Sequence, residues 1–473
     1  MKFLSYLMLC AILLISSCKK YVEVDAPNDK LVTVTVFQAN ETAIAALTSV
    51  YAQMAQDNVQ PYYIALETGF ASDELTSYTE STILKQTYVN RLNSFDGSPS
   101  DFWQLGYSYI YQANAVWEGC NESTKLDPLV KKHLMAEALF IRAYWHFYLV
   151  NFFGDVPIVT TTDYVSNAHV KRSPKQQVYA QMVSDLISAE NDLPVNYVAL
   201  DSKTVAADRI RPNKYTASAL LARVYLYSGK YMEAEQEASN VIAYNTLYGL
   251  ADVGSVFLKT SKEAVWELAM PTPITSTANT FEGLNFILNS VPTIMQTNCS
   301  AISSPLLAAF ENGDLRKVNW IGHYVDNSVS PAVDYAYPYK YTNISSTQAT
   351  EYSVPFRLAE QYLIRAEARI TLNNLKGGKD DLNTIRHRAG LGDTPANNST
   401  DLINAVLQER QVELFAEYGH RWFDLKRTGK IDALMSNVAL IKQSTWNSFQ
   451  QLWPIPKSEI QINPNITQNP GYN

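Results

Sequence analysis

The sequence predicts a mostly helical scaffold of stacked helix pairs interrupted by two irregular, ring-rich segments. Three observations lead there. Apolar residues recur at helical spacing over residues 41–56, 102–116, 128–153, 213–242 and 355–390. Two of those stretches share one internal grammar, the mark of a repeat. Between the helical stretches, residues 57–100 and 247–348 turn to Pro, Gly, Ser, Thr, Asn and aromatic residues, and long irregular segments of this kind are usually functional. With 473 residues, 47% hydrophobic and 18% charged, the chain can bury a large core. Its rings are numerous: 30 Tyr, 17 Phe and 8 Trp need a core, a binding surface, or both.

The first residues read as a leader. Lys2 precedes an apolar run from Phe3 to Ile15, too short for a membrane span of about 20 residues, followed by Ser16, Ser17 and Cys18. Leu14 to Cys18 resembles a bacterial lipobox, in which the cysteine thiol is acylated and becomes the mature N-terminus. The expected organisation is a signal peptide at 1–17, a lipid-anchored tether at 18–38 rich in β-branched residues, and one composite domain at 39–473.

The helical stretches follow in order. Residues 41–56 and 102–116 carry apolar residues at helical spacing, and 128–153 is apolar on nearly every face (Phe140, Ile141, Tyr144, Trp145, Phe147, Tyr148), which predicts a helix buried among others. Gly154 and Pro157 close it. Residues 213–242 place Ala217, Leu221 and Tyr225 before Gly229, then Tyr231, Ala234 and Ala238, an arrangement that resembles a tetratricopeptide repeat. Residues 355–390 repeat the pattern around Asn373 and Asn374, and 128–153 with 173–193 offers a third pair. Stacked pairs of this type usually bind rather than catalyse.

Composition and motifs narrow the chemistry. A net charge of −8 argues against tracking a nucleic-acid backbone, and loss of Lys2 with the leader leaves 37 basic against 46 acidic residues. None of the six histidines has metal-site spacing, and there is neither a phosphate-cradling glycine loop nor a nucleophile elbow, so no metal or cofactor is expected. Beyond Cys10 and Cys18, Cys120 and Cys299 remain, and spacing leaves their pairing open. Glu409, Glu413 and Glu417 fall at i, i+4, i+8 on an expected helix, adjacent members about 5–6 Å apart, near the separation that retaining glycosidases use. Arg410, Arg421 and Arg427 stand in the same segment as ready partners, which favours a structural network.

The candidate binding residues lie in the irregular segments. Flat rings pack on the C–H faces of sugars while Asn, Asp and Arg meet the hydroxyls. The first segment offers Asp73, Tyr78, Tyr88, Arg91 and Phe95; the second offers Trp320, Tyr324, Tyr335 and Tyr337, with Tyr339 and Tyr341 close by.

Three segments together resemble the SusD/RagB family: Glu137 to Pro157 with Arg142 and Gly154; Glu409 to Arg427 with Glu413, Arg421 and Asp424; and Leu452 to Tyr472 with Pro454, Pro456, Asn463 and Gly471. The resemblance implies a mostly α, SusD-like fold with four tetratricopeptide-like units. It also implies a lipid-anchored, surface-exposed protein of the outer membrane that captures a glycan without catalysis and passes it to a SusC-like TonB-dependent transporter. The signature residues mark the scaffold, so ligand residues do not transfer with them. Two readings compete with capture: a helical glycoside hydrolase using Glu409, Glu413 and Glu417, and a repeat-type adaptor that binds peptide or protein.

Overall fold

The computed structural model describes residues 35–95, 97–271, 279–344 and 348–472. Cys18 and most of the tether lie outside the described residues. Where the chain becomes described, Phe37 is buried against Gly119, whose missing side chain makes room for the ring: a Cβ there would stand 2.2 Å from it.

Helices dominate in the order the periodicity predicts. After α1 (Asn40–Gln56) come α2 (Pro61–Ala71), the short strand β1 (Leu75–Ser77), α3 (Ser98–Glu122) and α4 (Pro128–Phe153). Asp127 caps α4 by accepting from the Leu129 and Val130 amides, and Gly154, at φ +77°, ends it. Next are α5 (Lys175–Asp192), α6 (Lys214–Tyr227), α7 (Tyr231–Ala243), β2 (Ala264–Leu268), β3 (Ser300–Ile302), β4 (Ile321–Asp326), β5 (Val333–Pro338) and β6 (Ser353–Arg357). Toward the C-terminus come α8 (Leu358–Thr371), α9 (Leu375–Arg388), α10 (Ser399–Glu413), α11 (His420–Arg427) and α12 (Ile431–Ile441), and a last short helix follows at Lys457–Ile462.

The three expected helix pairs form. α4 packs on α3 and α5, α6 on α5 and α7, and α8 on α7 and α9, giving one continuous stack. The repeat grammar has a physical basis. The turn between α6 and α7 places Gly229 at φ +74°, and the turn between α8 and α9 places Asn373 at φ +65°, the left-handed conformation that Gly and Asn tolerate best. Five residues on, Ala234 and Gly378 are the small residues that admit the neighbouring helix; a Cβ on Gly378 would stand 2.8 Å from the Ala366 carbonyl. Buried ion pairs tie the layers: Arg142 to Asp185, Arg223 to Glu360, and Arg211 to Glu137, which also accepts from the Tyr51 hydroxyl. Cys120 and Cys299 are buried, separate free thiols.

Two expectations need correction. Residues 57–100 are not wholly irregular, because α2 runs through them with ten of its eleven residues buried. A helix enclosed on all sides has no polar face, so it leaves no amphipathic period to read. The Glu409–Glu413–Glu417 stripe is not one helix either. α10 stops at Glu413, and the chain turns through Ala416 and Tyr418, both at positive φ, to bring Glu417 back to the same place.

Candidate functional site

The two ring-rich segments meet. β1 belongs to the first and β3 to the second, and they pair antiparallel with Leu75 opposite Ile302 and Ser77 opposite Ser300. Pairing continues past the strands, where the Tyr78 and Glu80 amides donate to the Cys299 and Ile294 carbonyls, each at 2.8 Å. β4 and β5 form a hairpin in which Tyr324 stands opposite Tyr335 and Gly322 opposite Tyr337. Side chains two apart in a strand share a face, so Tyr335 and Tyr337 point the same way. Gly322 is required there: a Cβ would stand 2.3 Å from the Tyr337 ring, which lies across it.

The outcome is a tyrosine cluster built from both segments. The Tyr78 and Tyr335 rings meet edge to face, centroids 5.5 Å apart at 74°, and Tyr324, Tyr335 and Tyr339 remain partly exposed around a small core of Ile287, Leu288 and Tyr337. Tyr78 is 37% exposed, and burial of the remainder, with Tyr335 alongside, raises its hydroxyl above the usual phenol range. It is therefore neutral and able to donate at physiological pH. Exposed Ile294 and Met295 border the cluster through their pairing with Thr79 and Glu80.

The other sequence candidates scatter. Trp320 is a core residue, 2% exposed, with its indole N–H donating to the Val253 carbonyl at 2.8 Å and the Phe257 ring 5.6 Å away. Lys340, Arg357 and Arg388 stand 4.8 to 5.7 Å from its centroid, so the ring covers a buried cluster of cations instead of facing ligand. Asp73 is buried too, with its carboxylate held by Arg421 through two 2.8 Å bonds. Tyr337 lies beneath the exposed tyrosines. Tyr88 is half-buried between Phe70 and the Lys442 ammonium, whereas Arg91 and Phe95 turn toward the C-terminal segment, near Thr445 and Lys457. Trp320→Ala is accordingly expected to cost about 3–5 kcal/mol in stability, measured by chemical unfolding, and to leave the ligand affinity of the folded fraction unchanged.

The three glutamates form a structural network. Glu413 pairs with Arg316, Arg357 and Arg388, Glu409 with Arg316 and Arg386, and Glu417 with Lys340 and Arg357. All three are buried, at 1, 0 and 5% exposure for Glu409, Glu413 and Glu417. The expected partners were the wrong ones: Arg410 and Arg427 hold Asp424, and Arg421 holds Asp73. The actual partners come from elements 20 to 100 residues away in sequence, where spacing along one helix carries no information.

One buried carboxyl fixes the first segment in place. Glu67 on α2 accepts from the Thr87 hydroxyl at 2.6 Å and from Ser98, and burial pushes its pKa up to about 7 against the help of those two bonds. A carboxyl raised on folding stabilises fully below its unfolded pKa and loses that contribution as pH rises through the folded value. Between pH 5 and 8 the protein is expected to lose up to about 3 kcal/mol from this group. Glu67→Gln stays neutral throughout, so its melting temperature relative to the wild type should climb over that range; parallel curves would refute the assignment.

Comparison with known proteins bears on the same scaffold. Residues 20–226 match a family model described as starch-binding associating with outer membrane, and residues 308–472 match the SusD family model. The chain belongs to the SusD family. SusD-like protein P2 of Formosa agariphila is 26% identical over 92% of this chain and 93% of its own length. The starch-binding protein SusD of Bacteroides thetaiotaomicron is 30% identical over a shorter stretch, 25% of this chain and 21% of its own. A SusD superfamily structure from Parabacteroides distasonis superposes with a TM-score of 0.76 at 25% identity, covering 91% of this chain and 99% of that one. A laminarin-binding SusD-like protein shares the fold at a TM-score of 0.73 and 23% identity, covering 92% and 99%. The family signature residues Arg142, Gly154, Glu413, Arg421 and Asp424 sit in the helix stack and its ion pairs, apart from the tyrosine cluster. Residues 227–307, which hold Ile294 and Met295, fall between the two family matches.

Proposed function

We propose that this SusD-family protein captures an oligosaccharide on the face formed by Tyr78, Tyr324, Tyr335 and Tyr339, and delivers it, without catalysis, to a SusC-like TonB-dependent transporter in the outer membrane. A lipid on Cys18 holds it there. The observation that carries the reading is the convergence of two sequence-distant segments to display partly exposed rings on one surface, which the helix stack does not need for its own core. Relatives named for binding starch and laminarin support a sugar ligand, and no helix among the described residues is long and apolar enough to cross a membrane, in keeping with attachment by lipid. The acidic balance favours neutral glycans over polyanions.

The test is a glycan array probed with the mature protein lacking its lipid, together with purification from native outer membranes. Binding to neutral oligosaccharides and co-purification of a large membrane barrel are expected. Release of reducing sugar by the wild type, or binding of peptides and no glycans, would overturn the reading in favour of hydrolysis or of a peptide adaptor respectively.

A further inference from the structure

The surface does not stop at the tyrosines. Thr76 precedes Tyr78 by two residues in extended chain whose pairing with the second segment runs unbroken from Leu75 to Tyr78, so both side chains leave the same side. Beside Thr76 lies a notch of about 50 Å³ walled by Thr76, Tyr88, Ser304 and Ile441 and floored by Asp73 and Lys442. Its floor is already satisfied: Asp73 is held by Arg421, and the Lys442 ammonium donates to the Phe70 and Ala71 carbonyls. Its walls are not, because the Thr76 and Ser304 hydroxyls have no partner among the described residues. The volume has room for one or two water-sized groups, at about 30 Å³ per water in the liquid, and none for a sugar ring.

We infer that this notch receives the exocyclic hydroxymethyl group of a hexopyranose whose ring packs on Tyr78, with the Thr76 and Ser304 hydroxyls meeting its oxygen. The inference rests on the capture reading above and adds to it a ligand class, glycans of hexoses over those of pentoses. A pentopyranose leaves the notch to water and forgoes those contacts.

The experiment measures affinity for hexose and pentose oligosaccharides on the same array by calorimetry of the best binders, using wild type, Ser304→Leu, Thr76→Val and Tyr78→Ala. Ser304 is exposed, so filling the notch from there leaves the fold intact, which a thermal melt checks. The expected result is a hexose glycan as best ligand, a loss of about tenfold on Ser304→Leu and a smaller loss on Thr76→Val. Unchanged affinity in both notch variants, with loss in Tyr78→Ala, would overturn the notch and leave capture standing. So would preference of the wild type for pentose chains. Binding of no glycan, or full affinity in Tyr78→Ala, would overturn the notch and the capture face together.

Discussion

Glu413→Ala is expected to lower the stability of the protein by about 3–5 kcal/mol. Glu413 has no exposed surface and is the shared anion of Arg316, Arg357 and Arg388, which come from the short helix Leu315–Asn319, from the end of β6 and from α9. Removing one partner of a buried pair typically costs about 3–5 kcal/mol, because the remaining charge stays buried without compensation. Three guanidiniums would be affected, although Glu409, Glu417 and Glu263 still neutralise part of their charge. Against a total stability of about 5–15 kcal/mol, that loss is a large fraction. Glu413→Gln keeps the size and some hydrogen bonds, so it should fall between wild type and alanine in urea unfolding followed by circular dichroism; a loss below about 1 kcal/mol for alanine would show that the network is not what locks these elements. The same group gives an acid limit. Burial disfavours its charge, but Arg388, Arg357 and Arg316 prevail and hold its pKa well below the usual carboxylate range. A carboxyl lowered on folding stabilises above its unfolded pKa and loses that contribution as pH falls toward the folded one, so the wild type should weaken below about pH 4.5 while Glu413→Gln does so less.

This network also shows what the sequence could and could not reveal. The helix stack was readable because its information is local: apolar spacing marks α4 end to end, and Gly229 and Asn373 mark equivalent turns that need positive φ. The ion pairs were readable only as a type. That Glu409, Glu413 and Glu417 would be paired follows from the scarcity of unpaired buried charge, whereas the identity of Arg316 and Arg357 as partners depends on long-range packing. The candidate face divides in the same way. Ring-rich irregular chain drew attention to Tyr78, Tyr324 and Tyr335, yet it could not separate them from Trp320, because composition does not say which ring roofs a buried cation cluster. One signal was available and unused. Tyr335, Tyr337 and Tyr339 alternate with period two, the pattern of a strand with one ring-bearing face, and it would have moved attention away from Trp320 to Tyr339. Ile294 and Met295 had no comparable sign, since they are isolated apolar residues whose place is set by pairing with Thr79 and Glu80.

Within that face the strongest test is the Tyr78 and Tyr335 pair. Each single alanine variant is expected to weaken oligosaccharide binding by about tenfold, the size of one lost ring contact of about 1.4 kcal/mol. The double variant should lose less than the product of the two. Tyr78 and Tyr335 support one another edge to face, so deleting either already disturbs the other's orientation, and contacting residues are where additivity fails. Calorimetric titration with the best glycan of the array measures all four corners of this cycle. Tyr78→Phe keeps the stacking surface and removes only the hydroxyl, so it separates ring packing from hydrogen bonding. Phe95→Ala is the control: its ring is 67% exposed but lies by Lys457, outside the tyrosine cluster, and its removal should leave affinity unchanged. If Phe95→Ala weakens binding while Tyr78→Ala and Tyr335→Ala do not, the ligand lies toward the C-terminal segment, and exposure of rings alone, without their convergence, would be the property that selects the site.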